Sequence, residues 1–171
     1  AMDMVRPGIA TYGYLPAQEL AGKISLRPMM SLYTTVAQLR TVPAGVSVSY
    51  GRTFTTTRQT RLAVLPIGYA DGLSRALSGR MNVYLHGKPA PIVGRICMDM
   101  CMADVTDILQ SAEGDVVTVF GDDETNTLRP VERLADTLGT INYEILCQLS
   151  KRIARIYRSG SKTSEILQYI V

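Results

Sequence analysis

Two tyrosines in this chain stand beside glycines: Tyr50 in SVSYGRTF and, nineteen residues later, Tyr69 in PIGYADG. A third, Tyr143 in TINYEILC, follows an asparagine. The chemistry open to such residues is proton exchange, because a phenolic hydroxyl both donates and accepts. A free phenol has a pKa of about 10, so acid–base work near neutral pH needs help from cations or hydrogen-bond donors. Arg52, Arg75 and Arg95 are near enough in sequence to supply positive charge. Plain turn chemistry is the competing reading, since a tyrosine at the edge of an element buries its ring and keeps its hydroxyl wet. The residues alone leave both open.

Arg6, in VRPGIATYG, is the other unusual residue. A guanidinium among apolar residues is costly unless its donors find acceptors. The adjacent Gly8 and Ile9 can present backbone N–H groups of the kind that hold a phosphate. Together they suggest an anionic or heteroaromatic ligand. Other chemistries lack their signals. The chain has neither a phosphate-loop nor a serine-hydrolase motif, and Ser49 has no histidine near it. Cys97, Asp99 and Cys101 would share one face of a strand. A metal centre needs three or four ligands, however, and the single histidine, His86, falls in the turn LHGKP, where it reads as solvated. No metal is expected.

The elements that position these residues must come from a chain of 171 residues, 46% hydrophobic and 19% charged. That suits one well-buried core, or one domain with a fragment of another. The net charge of +3 is scattered and leaves no footprint for nucleic acid. No apolar run reaches the roughly eighteen residues of a membrane span, and no secretory signal pattern occurs. Cys97, Cys101 and Cys147 form a sparse, odd set that reads as reduced thiols, which points to the cytoplasm. The opening MVRPGIATYGY reads as the end of a buried strand, which suggests a piece of a longer chain.

From residue 27 to 120 short strand-like runs dominate. MSLYTTVAQLRTV alternates and is closed by PAG; VSVSYGRTFTTT follows; TRLAVLPIGYA is a continuous apolar run suited to a strand buried on both faces. MNVYLHGKPAPIVGRICMDMCMADV predicts a hairpin turning at HGKP, and GDVVTVFG another strand. Then the period changes. RPVERLADTLG has proline near the start and glycine just past the end of a helix. TINYEILCQLSKRIARIY predicts a second helix with Ile141, Ile145, Leu149 and Ile153 on one face. RSGSKTSEILQYIV is weakly patterned and reads as peripheral. The fold class expected is mainly β, a small barrel or sandwich carrying a helical pair.

The motifs VRPGIATYG, SVSYGRTF, LPIGYADG, PIVGRICMDM and TINYEILC, in this order and spacing, resemble the C-terminal part of the alanine racemase family, from about residue 4 to 157. The resemblance implies a fold-type III pyridoxal phosphate enzyme. Residues 1–14 would be the last strand and loop of a (β/α)8 barrel, 15–160 a Greek-key-like β-barrel domain, and 161–171 a peripheral tail. By the same resemblance Arg6 hydrogen-bonds the cofactor's pyridine nitrogen, Gly8 and Ile9 meet its phosphate through backbone N–H groups, and Tyr143 adds a hydroxyl there. Tyr50 resembles the catalytic tyrosine, which a homodimer partner lends to the neighbouring active site. Met98 resembles the residue whose N–H meets the substrate carboxylate, and Tyr69, Arg75 and Arg95 line the substrate corridor. The implied reaction interconverts L- and D-alanine for peptidoglycan precursors. Two departures stand out: Met100 replaces a frequent glutamine and Ala154 a frequent proline. None of Lys23, Lys88, Lys151 and Lys162 sits in the motif of the cofactor-bearing lysine, so this chain alone is expected to be inactive. Two alternatives accompany this reading: a serine or broad-specificity racemase domain, and a non-catalytic dimerisation or binding domain.

Overall fold

A computed structural model describes residues 3–160 and 162–168. Its centre is an eight-stranded antiparallel sheet. In chain order the strands are β1 (Leu32–Thr35), β2 (Gln38–Val42), β3 (Ser47–Val48), β4 (Phe54–Thr55), β5 (Thr60–Leu65), β6 (Asn82–Leu85), β7 (Lys88–Val93), β8 (Cys101–Asp104), β9 (Val116–Asp122) and β10 (Leu128–Arg129). The sheet runs β1-β9-β6-β7-β8-β5-β2, with β10 added on β9; β3 and β4 pair separately. β1 and β2 are at opposite ends of that order, yet only Val36 and Ala37 join them. Val36 N–H donates to Asp115 and Ala37 N–H to Val64, so one dipeptide touches both ends of the sheet. The sheet is therefore curled into a barrel-like half-shell, which is the β-rich architecture expected.

Side-chain alternation decides what each strand covers. Ala63 and Leu65 of β5, Ala90 and Ile92 of β7, and Cys101 and Ala103 of β8 face the main core with Phe120, Leu77 and Leu85. The alternate residues Leu62, Val93 and Met102 face outward and meet Val42, Val48 and Phe54. β5 is thus buried on both faces, as its apolar run predicts. The outer cluster pins the β3–β4 hairpin to the barrel wall. Full burial of each such aliphatic side chain contributes about 1.5–3 kcal/mol.

α1 (Glu132–Leu138) follows Pro130 and ends at Gly139, whose φ of 71° closes the helix. It buries Leu134 and Ala135. α2 (Asn142–Cys147) is much shorter than the apolar spacing predicts. Ile145 is buried and Leu149 and Ile153 still pack against the core, but Ile141 is exposed. Residues beyond Cys147 leave the helix, and Arg155–Ser159 forms β11, paired antiparallel with β12 (Lys162–Leu167). Strand pairing overrides helical periodicity here, with β-branched and aromatic residues in RIYRS favouring it. Residues 161 and 169–171 of the tail lie outside the described residues. Residues 4–7 pair with no strand among the described residues, and Met4 and Val5 are both 73% exposed. One further expectation needs correction. His86 is not freely solvated; its Nε2 is 2.8 Å from Asp115 Oδ2 and its Nδ1 3.2 Å from Glu124 Oε1.

The β9–β10 connection is organised by Asp123, whose side chain is 1% exposed. Burial alone would raise its carboxyl, but bonds from the Thr125 hydroxyl, the Thr127 N–H, Arg129 and the Thr125 N–H outweigh that and hold it at about 2. The folded value lies below the unfolded one of about 3.9, so this stabilisation is complete above about pH 4 and is lost as pH falls through about 2. Asp123→Asn is expected to flatten acid unfolding in that window. It should also cost roughly 3 kcal/mol at pH 7 by stranding Arg129, read from urea titrations at several pH values.

Candidate active site

β5 and β8 are paired with Leu65 opposite Cys101, so the segment leaving β5 and the segment entering β8 emerge side by side. The first is Gly68–Asp71, a tight turn in which Asp71 Oδ2 accepts the Gly68 N–H at 2.9 Å. The second is the 94–100 loop. They are sewn together by two backbone bonds, Tyr69 N–H to the Cys97 carbonyl and Ala70 N–H to the Met98 carbonyl, both 3.0 Å. In a trans peptide the N–H points opposite to the C=O. With the Cys97 carbonyl turned toward Tyr69, the Met98 N–H must point away from that turn. It meets no acceptor among the described residues.

The β3–β4 hairpin brings Tyr50 to the same place. Gly94 lies so close beneath it that a Cβ there would sit 2.8 Å from the Ser49 Cβ and 2.9 Å from the Val48 carbonyl oxygen. Ser49 donates its hydroxyl to the Arg95 carbonyl at 2.6 Å. The hairpin tip is strained, with φ of 64° at Ser49 and 48° at Arg52, conformations that non-glycine residues rarely hold. Arg95 Nε is within 3.2 Å of where a Gly51 Cβ would be. The outcome is a tyrosine 74% exposed at the tip of an anchored turn, with a half-buried arginine against its base. Tyr69 is 42% exposed and lines, with Arg75 and Gln148, a cavity of about 400 Å³. The Tyr50 turn and the Tyr69 turn therefore both rest on the 94–100 loop, which carries Arg95 and Met98, while Arg75 joins them through the cavity it shares with Tyr69.

The other predicted residues gather elsewhere. Gly8, Ile9 and Tyr143 line a single cavity of about 740 Å³. Gly8 and Ile9 begin the short 3-10 helix Gly8–Tyr12, whose first N–H to find a carbonyl is that of Ala10, bonded to Pro7. The two preceding N–H groups have no partner within the helix. Among the described residues no carboxylate lines the cavity, and Arg155 and Arg158 do. The donor set fits a phosphate. Arg6 is not brought to that lining; it is exposed and bonded to none of the described residues.

Sequence reasoning weighed Ser49 only as a nucleophile and overlooked Asp71, yet their side chains hold the two turns; the Asp-Gly pair in GYADG was the available signal for the second. Cys97 and Cys101 do not share a strand face: Cys97 is in the loop, 3.5 Å from the Ser49 hydroxyl, and only Cys101 is in β8. Burial pushes the Cys101 thiol up to about 12, so it is inert. Among the described residues no cluster of metal-ligating side chains occurs, and no helix is long and apolar enough to cross a membrane.

A sequence model described as "Alanine racemase, C-terminal domain" matches residues 29–157. The alanine racemase of Methanococcus maripaludis is 51% identical over 158 residues, covering 91% of this chain and 42% of that protein. That of Desulfovibrio desulfuricans is 48% identical over 156 residues, covering 91% of this chain and 41% of its own length. Among solved structures, Bacillus anthracis alanine racemase with bound L-Ala-P superposes with a TM-score of 0.88 at 36% identity, over 95% of this chain and 42% of that one. Clostridium difficile 630 alanine racemase in complex with cycloserine gives 0.88 at 37% identity, over 96% and 43%. This chain spans about two-fifths of the length of each.

Proposed function

The chain belongs to the alanine racemase C-terminal domain family, and from that premise we propose that it is the C-terminal portion of an enzyme interconverting L- and D-alanine, with Tyr50 as an acid–base group. The observation that carries this reading is the exposed phenol on a strained turn anchored to the 94–100 loop, the loop whose Met98 N–H meets no acceptor among the described residues. Inversion of an α-carbon requires a proton removed on one side and delivered on the other, hence two bases. Tyr50 Oη supplies one. The second, by family likeness, is the lysine that carries the cofactor, in a part of the protein preceding this chain.

Pyridoxal phosphate, when bound, supplies the electron sink that makes the α-hydrogen acidic. Gly8 and Ile9 would hold its phosphate with their N–H groups and Tyr143 with its hydroxyl. Arg6 would meet the pyridine nitrogen; a guanidinium cannot accept a proton and so leaves that nitrogen unprotonated. The Met98 N–H would take the substrate carboxylate, while Tyr69, Arg75 and Arg95 shape and charge its approach.

Gly8, Ile9 and Tyr143 line one cavity, Arg6 stands outside it, and the turn that carries Tyr50 is built from other elements. This separation suits a head-to-tail homodimer in which each chain serves its own cofactor and its partner's substrate. Residues 1–14 would then complete the barrel that bears the lysine, and the enzyme would work in the cytoplasm, where D-alanine feeds peptidoglycan synthesis.

The test is an inversion assay on the complete protein with L-alanine and L-serine. A higher kcat/KM on alanine is expected, with Tyr143 crowding larger side chains. Equal or better use of serine would reassign the substrate, and no inversion of either would overturn the enzymatic reading.

A further inference from the structure

Arg152 lies outside every motif that suggested function, yet its guanidinium joins the two segments that carry the substrate-facing groups. Its Nη2 is 2.7 Å from Asp99 Oδ1, and its Nε is 3.7 Å from Asp71 Oδ1. Asp99 directly follows Met98. Asp71 closes the Gly68–Asp71 turn through its other oxygen, on the Gly68 N–H. The backbone around Arg152 is tied to the same turn: Ser150 N–H donates to the Asp71 carbonyl at 3.0 Å, and Arg152 N–H to the Ser150 hydroxyl at 3.2 Å. Resting on the racemase reading above, we propose that Arg152 is a positioning residue for substrate carboxylate binding, acting through Asp99 and Asp71 on the Met98 N–H.

Two effects follow from this bridge. Mechanically, the Cys97–Met98 peptide is aimed by its bond to Tyr69 and the Met98–Asp99 peptide by its bond to Ala70, and Arg152 holds the segments on both sides of those bonds in register. Electrostatically, one guanidinium stands against two carboxylates. Without it, two uncompensated negative charges would stand next to the segments that carry Met98 and Tyr69, weakening the binding of an anionic substrate there. The Asp71 side chain is 13% exposed, so that charge is only partly screened by water. Arg152 itself touches neither substrate nor cofactor.

A merely structural ion pair at this exposure contributes little to stability, so steady-state binding rather than melting is the informative readout. In the complete protein, Arg152→Met is expected to raise KM for alanine by about tenfold with kcat within about twofold of wild type. The inhibition constant of propionate, a substrate analogue lacking the amino group, should rise in parallel, because it probes the carboxylate contact alone. Arg152→Lys should recover part of the loss, since it restores the charge without the fork. If the methionine variant fails to fold, Asp99→Asn tests the same link and should show a smaller rise in both constants. Unchanged KM and propionate inhibition in a folded variant, or a fall confined to kcat, would overturn the proposal. A wild-type protein that inverts no amino acid would instead overturn the racemase reading beneath it.

Discussion

Tyr50→Phe in the complete protein is expected to lower the rate of alanine inversion by about 10²–10⁴-fold, the usual contribution of one positioned acid–base group. The fold should not register the change. The ring is 74% exposed, its turn is anchored by Ser49 and Gly94, and no hydrogen bond from its hydroxyl to a described residue holds the hairpin. A substitution of this kind shifts stability by no more than about 0.5 kcal/mol. Because the two enantiomers are equal in free energy, kcat/KM must fall equally in both directions. The asymmetry belongs in hydrogen exchange. In deuterated water the remaining base can still wash label into the α-position of the enantiomer it faces, without inversion. Exchange surviving for one enantiomer and vanishing for the other is the expected pattern. Inversion at the wild-type rate would remove Tyr50 from the chemistry.

Gly68→Ala is expected to damage both stability and activity. Gly68 has φ of −149° and ψ of −164°, an extended conformation open to any residue, so backbone freedom is not the issue. Space is. A Cβ there would lie 2.3 Å from both the Cys97 and Met98 carbonyl oxygens and 2.5 Å from the Met98 carbonyl carbon. These are backbone atoms and cannot swing aside as a flexible side chain would. Relief must come from pushing the 94–100 loop away from the 68–71 turn, breaking the bonds to Tyr69 and Ala70. Overpacking of this sort costs about 1–3 kcal/mol, measurable by urea denaturation. A displacement of about 1 Å of the Met98 N–H should lower kcat/KM by about 100-fold. Retention of wild-type stability and activity would show that the contact does not set the loop.

The legible parts of this molecule are those fixed by local chemistry. β5 is read from an apolar run because burial on both faces leaves no polar residue to alternate. α1 is read from Pro130 and Gly139, which punctuate a helix whatever it packs against. The spacing overextends α2 for the converse reason: Ile145, Leu149 and Ile153 keep a helical interval and all reach the core, yet the chain leaves the helix after Cys147 and pairs as a strand from Arg155. His86 reads as a solvated turn residue because Asp115 and Glu124, its partners, are remote in sequence. At the site, glycine-flanked tyrosines signal where the chain must bend. The residues that aim them, Ser49, Asp71 and Arg152, act through bonds between segments that only the folded sheet brings together. Family likeness suggests the roles, and the fold anchors the Tyr50 turn to the loop that carries Met98.

The central claim is that Tyr50 completes an active site on a partner chain. Mixing two inactive variants of the complete protein tests it directly: Tyr50→Phe in one, and loss of the cofactor-bearing lysine in the other. Random re-pairing makes half the dimers mixed, each with a single site that has both lysine and tyrosine, so about one quarter of wild-type activity should return. If Tyr50 served its own chain's cofactor instead, every site in the mixture would lack one base, and activity no greater than that of the separate variants would contradict the account.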